Sequence, residues 1–266
     1  MPEADEQHRA RILVMLGSIE SDRAALNALS LLAGKTPAEI LGMFVEDIEL
    51  LTLAELPIAR EYCMLTHVER RLQIPDIERQ FRIQARAAQQ ALVEIAGRLG
   101  FPLSFRTVRG ALTTLLRESL AETDLMLFGA GRGALRIPGG PTRASSGHPS
   151  MRRQPVSVVF DGSEAAQRAL QVALQIAPDD SIPLTVILTA GNPEHLSRLI
   201  EQASRLAGTR SLHPVKMVNP AWRDVIEKAY AQHSAALVIA ITTELLQEEN
   251  LERLRNELNC PVVLVK

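Results

Sequence analysis

Residues 12–33 read ILVMLGSIESDRAALNALSLLA, and residues 156–177 read VSVVFDGSEAAQRALQVALQIA. Laid side by side without gaps, Val14 meets Val158, Glu20 meets Glu164, Ala25-Leu26 meets Ala169-Leu170 and Ala33 meets Ala177. Each stretch is an apolar run, a Gly/Ser turn and an amphipathic helix. A second pair follows: TDLMLFGA at 123–130 and AALVIAIT at 235–242. Short apolar runs without polar alternation are the pattern of strands buried on both faces, hence of parallel sheet. A chain that repeats in this way is two related α/β halves.

Outward from the repeat, the first half predicts a strand at 11–16, a helix near 20–34 and a strand at 38–45. A long helix over 77–98 places Ile77, Phe81, Ala85, Ala88, Leu92, Ile95 and Leu99 on one stripe, with Asp76 as its cap and Gly100 as its stop. A strand at 102–108, a helix at 111–121 and a strand at 124–129 follow. The second half predicts strands at 155–160, 183–189, near 212–218, at 236–241 and at 261–265. Helices fill the intervals, two of them opened by Asn192-Pro193 and Asn219-Pro220, since Asn caps and Pro suits the first helical position.

Two segments break the symmetry. Residues 47–76 carry extra chain whose leucines predict a helical excursion. Residues 130–153 hold five glycines, three prolines, five arginines and no acid, the composition of a flexible linker. That linker stands where the first half needs its last helix. The strand after it belongs with the Asp161-Gly162-Ser163 turn and so with the second half. The expected organisation is therefore a first half over 1–130, a linker over 131–153 and a second half over 154–266. Both halves are doubly wound parallel sheets, the first lacking its last helix and strand.

Composition excludes more than it selects. At roughly 150 residues per domain, 266 residues suit two modest cores. With 46% hydrophobic and 23% charged residues the chain is neither disordered nor fibrous. A net charge of −2 and 3% aromatics offer nucleic acid or an anionic membrane nothing in bulk. The start lacks the basic-then-apolar run of a signal peptide, and the apolar runs are strand-sized, so the expected compartment is cytoplasmic. Cys63 and Cys260 stand far apart and the histidines lack metal-ligand spacing, so neither a disulfide framework nor a metal site is expected. Cys260 reads as a small packed hydrophobe.

With these residues in view, the chain resembles the tandem universal stress proteins. VVFDGSEAAQRAL is similar to that family's opening strand and turn, NCPVVLVK to its closing strand, and GMFVEDIELLTLAELPIARE to a variant of bacterial tandem members. The resemblance covers most of both halves. It implies a five-stranded parallel sheet per half in the order 3-2-1-4-5, halves packed as a pseudo-dimer, and a role in stress response. One subclass of the family binds ATP, using Gly-x-x-Gly, nine residues and Gly-Ser/Thr after the fourth strand, with an Asp ending the first.

Asp161 matches that Asp, but no glycine follows Gly208, and the fourth strand of the second half runs into Thr242-Thr243-Glu244. Glu244, Glu248, Glu249 and Glu252 would repel phosphates there. In the first half Gly129, Gly131 and Gly133 follow the fourth strand, but Arg132 stands at the second motif glycine, Pro141-Thr142 falls where Gly-Ser/Thr belongs, and Gly17 replaces the Asp. Arg132, Arg136 and Arg143 offer an anion only a non-standard hold. The candidate nucleotide residues are thus Asp161, Gly162, Ser163, Gly129, Gly131 and Gly133. Ser163 and Asp161 also suit a helix cap and a turn. Ser145, Ser146 and His148 lack the strand-turn-helix elbow that exposes a nucleophile. Trp222 and Tyr230 lie near one side of a helix and read as core or interface.

The expected function is a non-enzymatic stress-type response protein acting through protein association, with no catalytic residues and no cofactor. The alternative is an ATP-binding sensor or slow ATPase. Self-association through the terminal strand, pseudo-dimer packing of the halves, or an unidentified protein partner would cover the apolar edge 261–265.

Overall fold

The computed structural model describes residues 9–17, 19–32, 38–63, 67–129 and 154–266. The first half runs β1 (Ala10–Leu16), α1 (Ile19–Leu32), β2 (Ala38–Asp47), α2 (Ile48–Glu55), β3 (Arg60–Cys63), β4 (Val68–Arg71), α3 (Ile74–Leu99), β5 (Leu103–Gly110), α4 (Leu112–Ser119) and β6 (Leu125–Phe128). The second runs β7 (Val156–Phe160), α5 (Glu164–Ile176), β8 (Leu184–Ala190), α6 (Pro193–Ala207), β9 (Leu212–Val218), α7 (Trp222–Ala231), β10 (Ala236–Ala240), α8 (Glu248–Glu257) and β11 (Val262–Val265). The sequence repeat is also a repeat of burial. Ala25, Leu29 and Leu32 of α1 are buried, and so are their counterparts Ala169, Ala173 and Ile176 of α5.

Nine strands form one sheet in the order β5-β2-β1-β6-β11-β10-β7-β8-β9. Counted within the second half this is 3-2-1-4-5 read from its outer edge. The first half contributes 3-2-1-4, and β11 takes the fifth place beside β6, running antiparallel to it. Val263 thus faces Leu127 of the first half on one side and Val238 of the second on the other. All four residues of β11 are buried, so this apolar strand has no open edge. Because β6 and β11 run in opposite directions, the carboxyl ends of the strands in the two halves point to opposite ends of the sheet.

Helices cover both faces. The core of one face joins α1, α3, α5 and α6 to the sheet; the core of the other joins α4, α7 and α8. Among the described residues the first half has neither a helix after β6 nor a fifth strand of its own. Its second face is shared with α8, which belongs to the other half. No described helix is long and apolar enough to cross a membrane.

Several sequence expectations are corrected. The long helix begins at Ile74, with Gln73 in the N-cap position making no side-chain bond and Pro75 in the first turn, so Asp76 lies inside the helix as an acid in the first turn. Gly100 does end it, in the left-handed conformation at φ 68°. Asn219-Pro220 forms a turn before α7, and Asp224 accepts a hydrogen bond from the Ala221 amide at 3.0 Å at the true start. The excursion at 47–76 is only partly helical: α2 is followed by the antiparallel pair β3–β4, a sheet of its own. Residues 130–153, the expected linker with Gly131, Gly133, Arg132, Arg136, Arg143, Ser145, Ser146 and His148, lie outside the described residues.

Candidate functional site

Ligands of doubly wound sheets sit beyond the carboxyl ends of the strands, where the strand order reverses. In the second half this is the gap between β7 and β10, flanked by Asp161 and Thr242. The Asp161-Gly162-Ser163 turn is closed on itself. Asp161 Oδ1 accepts from the Ser163 amide at 2.9 Å, and Ser163 Oγ accepts from the Ala166 amide at 3.2 Å, capping α5. The Gly162 carbonyl accepts from the side-chain amides of Gln167 and Gln202 at 3.2 and 3.3 Å. Gly162 has φ 87°, and a Cβ there would stand 2.6 Å from Leu199 Cδ2, so both backbone and space demand glycine.

Across the gap, the connection from β10 to α8 is equally self-contained. A phosphate loop works by pointing successive amides outward. Here the Leu245 amide donates to Thr242 Oγ1 at 3.1 Å, the Leu246 amide to the Thr242 carbonyl at 3.2 Å, and the Gln247 amide to the Glu244 carbonyl at 3.2 Å. Arg117 of α4 reaches in from the other half and donates from Nε to the Leu246 carbonyl at 2.9 Å. Its guanidinium also stands 4.0 Å from Glu248. Glu248 and Glu249 fill the first turn of α8, where an anionic ligand would need the helix dipole to itself.

The corresponding gap in the first half lies between β1 and β6. Gly17 occupies the position of Asp161, and its amide donates to Asp22 Oδ2 at 2.9 Å. Asp22 is 3% exposed and sits where the repeat has Ala166. Gly129 follows β6 directly and is half-buried. Farther along this edge Arg109 pairs with Glu46 at 3.0 Å and Glu78 at 3.1 Å, and those two carboxylates push its guanidinium further up from its ordinary value. Arg255 of α8 pairs with Asp47 at 2.6 Å. Both cations are already matched by carboxylates.

Of the predicted residues, the structure thus brings Asp161, Gly162 and Ser163 together at one gap and puts Gly129 at the other, on the far end of the sheet. It assigns the first three to a turn and a cap. Sequence reading missed Asp22 and Arg117, and it placed Thr242 after the fourth strand without its capping role. An acid in the repeat position of Ala166 was a visible signal for Asp22. Arg117 acts across a tertiary contact that nothing local announces. A cleft of about 440 Å³ does exist, lined by Ile12, Leu125 and Val265 with Arg168, Gln175 and Lys266 at its wall. It lies at the seam of the halves, and none of the predicted nucleotide residues lines it. Among the described residues there is no cluster of ligating side chains for a metal.

No family profile matches the sequence, and no curated protein matches it. Solved structures do match. A universal stress protein from Archaeoglobus fulgidus DSM 4304 superposes with a TM-score of 0.53 at 12% identity, covering 96% of each chain. The chain has a universal stress protein fold. A second universal stress protein from Archaeoglobus fulgidus, solved with dAMP, has a TM-score of 0.36 at 18% identity and covers 42% of this chain and 98% of its own. The cytoplasmic domain of a prokaryotic cation chloride cotransporter has a TM-score of 0.44 at 10% identity, covering 96% of this chain and 95% of its own. Within the universal stress protein fold, the amides of Ser163, Ala166, Leu245, Leu246 and Gln247 at one switch point and of Gly17 at the other are engaged inside the chain.

Proposed function

We propose that this chain is a non-enzymatic stress-response protein of the cytosol that acts by protein association, its nucleotide sites having degenerated. The observation that supports the reading is the β10–α8 connection. Three consecutive amides, at Leu245, Leu246 and Gln247, are engaged by Thr242 and Glu244, and the acids Glu244, Glu248 and Glu249 surround them. A triphosphate arriving there would meet carboxylates in place of free donors. The test is a thermal melt with ATP–Mg²⁺ and, separately, AMP at millimolar concentration. A ligand at a hundredfold excess over its Kd stabilises by about 2.7 kcal/mol. The expected result is an unchanged melting temperature; a rise that saturates with ATP would overturn the proposal.

A second reading, an adenine-nucleotide sensor or slow ATPase, draws on Asp161. Its carboxylate stands exposed just past β7, beside the reversal of strand order, where an adenosine could reach it. Phosphate release from ATP, abolished by Asp161→Ala, would favour that reading over the first.

A further inference from the structure

The outer face of α3 carries a stripe that the fold does not use. Successive residues turn about 100° around a helix, so Arg79, Arg82, Ile83, Arg86, Gln90 and Val93 fall within an arc of about 100°. All six are exposed. The opposite side of the helix holds Phe81, Ala85, Ala88 and Leu92 in the core.

Like charges three and four residues apart on a helix repel each other across one turn. Arg79 with Arg82 and Arg82 with Arg86 are two such pairs. Glu78 precedes Arg82 by four residues and is placed to offset it, yet Arg109 holds Glu78 instead, at 3.1 Å. Among the described residues Arg79, Arg82 and Arg86 make no ion pair, whereas Arg60, Arg70 and Arg109 of the same half each hold a carboxylate. Folding therefore leaves three adjacent guanidiniums uncompensated, with the apolar Ile83 among them.

We propose that this face of α3 docks an acidic amphipathic helix of a partner protein. Arg79 to Arg86 spans about 10 Å of helix axis. A helix lying antiparallel beside α3, with carboxylates at the same three-and-four spacing, sets one against each guanidinium and an apolar residue against Ile83. The planar fork of each arginine matches the two oxygens of a carboxylate. Nucleic acid and anionic membranes also attract arginine, but they present broad arrays of negative charge. Asp76 and Glu94 stand exposed at the margin of the stripe, on the side of Ile83, and would face such an array. A single helix is narrow enough to follow the arginines and pass the two acids by. The inference rests on the association proposed above, to which it gives a surface and a partner chemistry.

Fluorescence anisotropy of a labelled synthetic peptide, titrated with the full chain, tests it. The peptide is an acidic helix of about 16 residues with Glu at three-and-four spacing around Leu, and its control has Gln at every Glu. With protein up to about 500 µM, enough to half-saturate a submillimolar site, the acidic peptide should bind saturably and the Gln peptide should not. Raising salt from about 50 to about 500 mM should weaken the complex. Arg79→Gln, Arg82→Gln and Arg86→Gln together should weaken it at least about tenfold, with unchanged circular dichroism. The same loss of charge at Arg198, Arg205 and Arg223, exposed on α6 and α7, should leave it unaltered. Absence of saturable binding overturns the proposal, and so does an equal loss in the two triple variants. Tighter binding of single-stranded DNA or of phosphatidylserine vesicles through the same arginines overturns the choice of partner. The nucleotide melt is a separate readout: no peptide binding with a melt unmoved by ATP removes this surface and leaves the association reading in place.

Discussion

Arg255, near the end of α8 in the second half, donates from its guanidinium to Asp47 Oδ2 at 2.6 Å, and Asp47 is the residue that caps α2 in the first half. The other oxygen of Asp47 accepts from the Glu49 amide at 2.9 Å. One carboxylate therefore starts a helix in one half and pins a helix of the other. Arg255→Ala removes the pin alone, whereas Asp47→Ala removes both, and a lost cap costs about 1 kcal/mol. In urea melts Asp47→Ala should be the more destabilising of the two. A double-mutant cycle between them should give a coupling on the order of 1 kcal/mol, since both side chains are only partly exposed. Strict additivity would mean that the pair contributes nothing to docking the halves.

The shared strand makes a stronger demand. Val263 is fully buried between Leu127 and Val238, with one neighbour from each half. Val263→Ala should cost about 2 kcal/mol through lost burial and the cavity left behind. Because β11 joins the two halves into one sheet, the loss should appear in one cooperative transition. Fluorescence of Trp222, the single tryptophan, reports the second half, and far-ultraviolet circular dichroism reports both. The two curves should coincide in the wild type and shift together in the variant. Val263→Lys would bury an unpaired ammonium and should prevent folding altogether. Separate transitions for the two probes would show that the halves do not share their stability.

These expectations separate what could be read in the sequence from what could not. The repeat at 12–33 and 156–177 and the apolar runs revealed the parallel strands, because burial on both faces leaves a composition that can be seen locally. The gap after β6 and the apolar Val262–Val265 were visible too. That the second would fill the first is a long-range pairing, and no local pattern encodes it. The hairpin β3–β4 escaped because its strands are short and carry Arg60, Glu61, Glu69, Arg70 and Arg71, and Val68–Arg71 is exposed throughout, with none of the alternation that a half-buried strand shows. At the site, Asp161, Gly162 and Ser163 announced a turn before a helix. Arg117 and Asp22 act through tertiary contacts, so their roles became visible only when the fold brought Leu246 and Gly17 to them.

Gly162 and Ser163 offer a direct separation of structure from ligand binding. Gly162→Ala forces a side chain into φ 87° and toward Leu199, and should destabilise by about 1–3 kcal/mol. Ser163→Ala removes the cap from Ala166 and should cost about 1 kcal/mol. Both losses should be the same with and without ATP–Mg²⁺ in the cuvette. If nucleotide changed the cost of either substitution, the turn would be in contact with it.

Cys260 gives the fold a defined response to alkali. It is 7% exposed in the core beneath α8, and burial pushes its thiol from 9.0 up to about 12. The unfolded chain loses this proton near 9.0, while the folded chain keeps it until about 12. Between those values the unfolded state binds fewer protons, so stability falls as pH rises; below 9.0 this contribution is fully present, and above about 12 its loss is complete. A Cys260→Ala variant should lack that slope, in urea midpoints compared at pH 8 and pH 10. In a Cys63→Ser background the remaining thiol should resist a disulfide reagent at pH 8 until the chain unfolds, because the thiolate is the reacting species. Labelling at the rate of a free thiol in the native protein would show that Cys260 is open to solvent and that the packing between α8 and β11 is wrong.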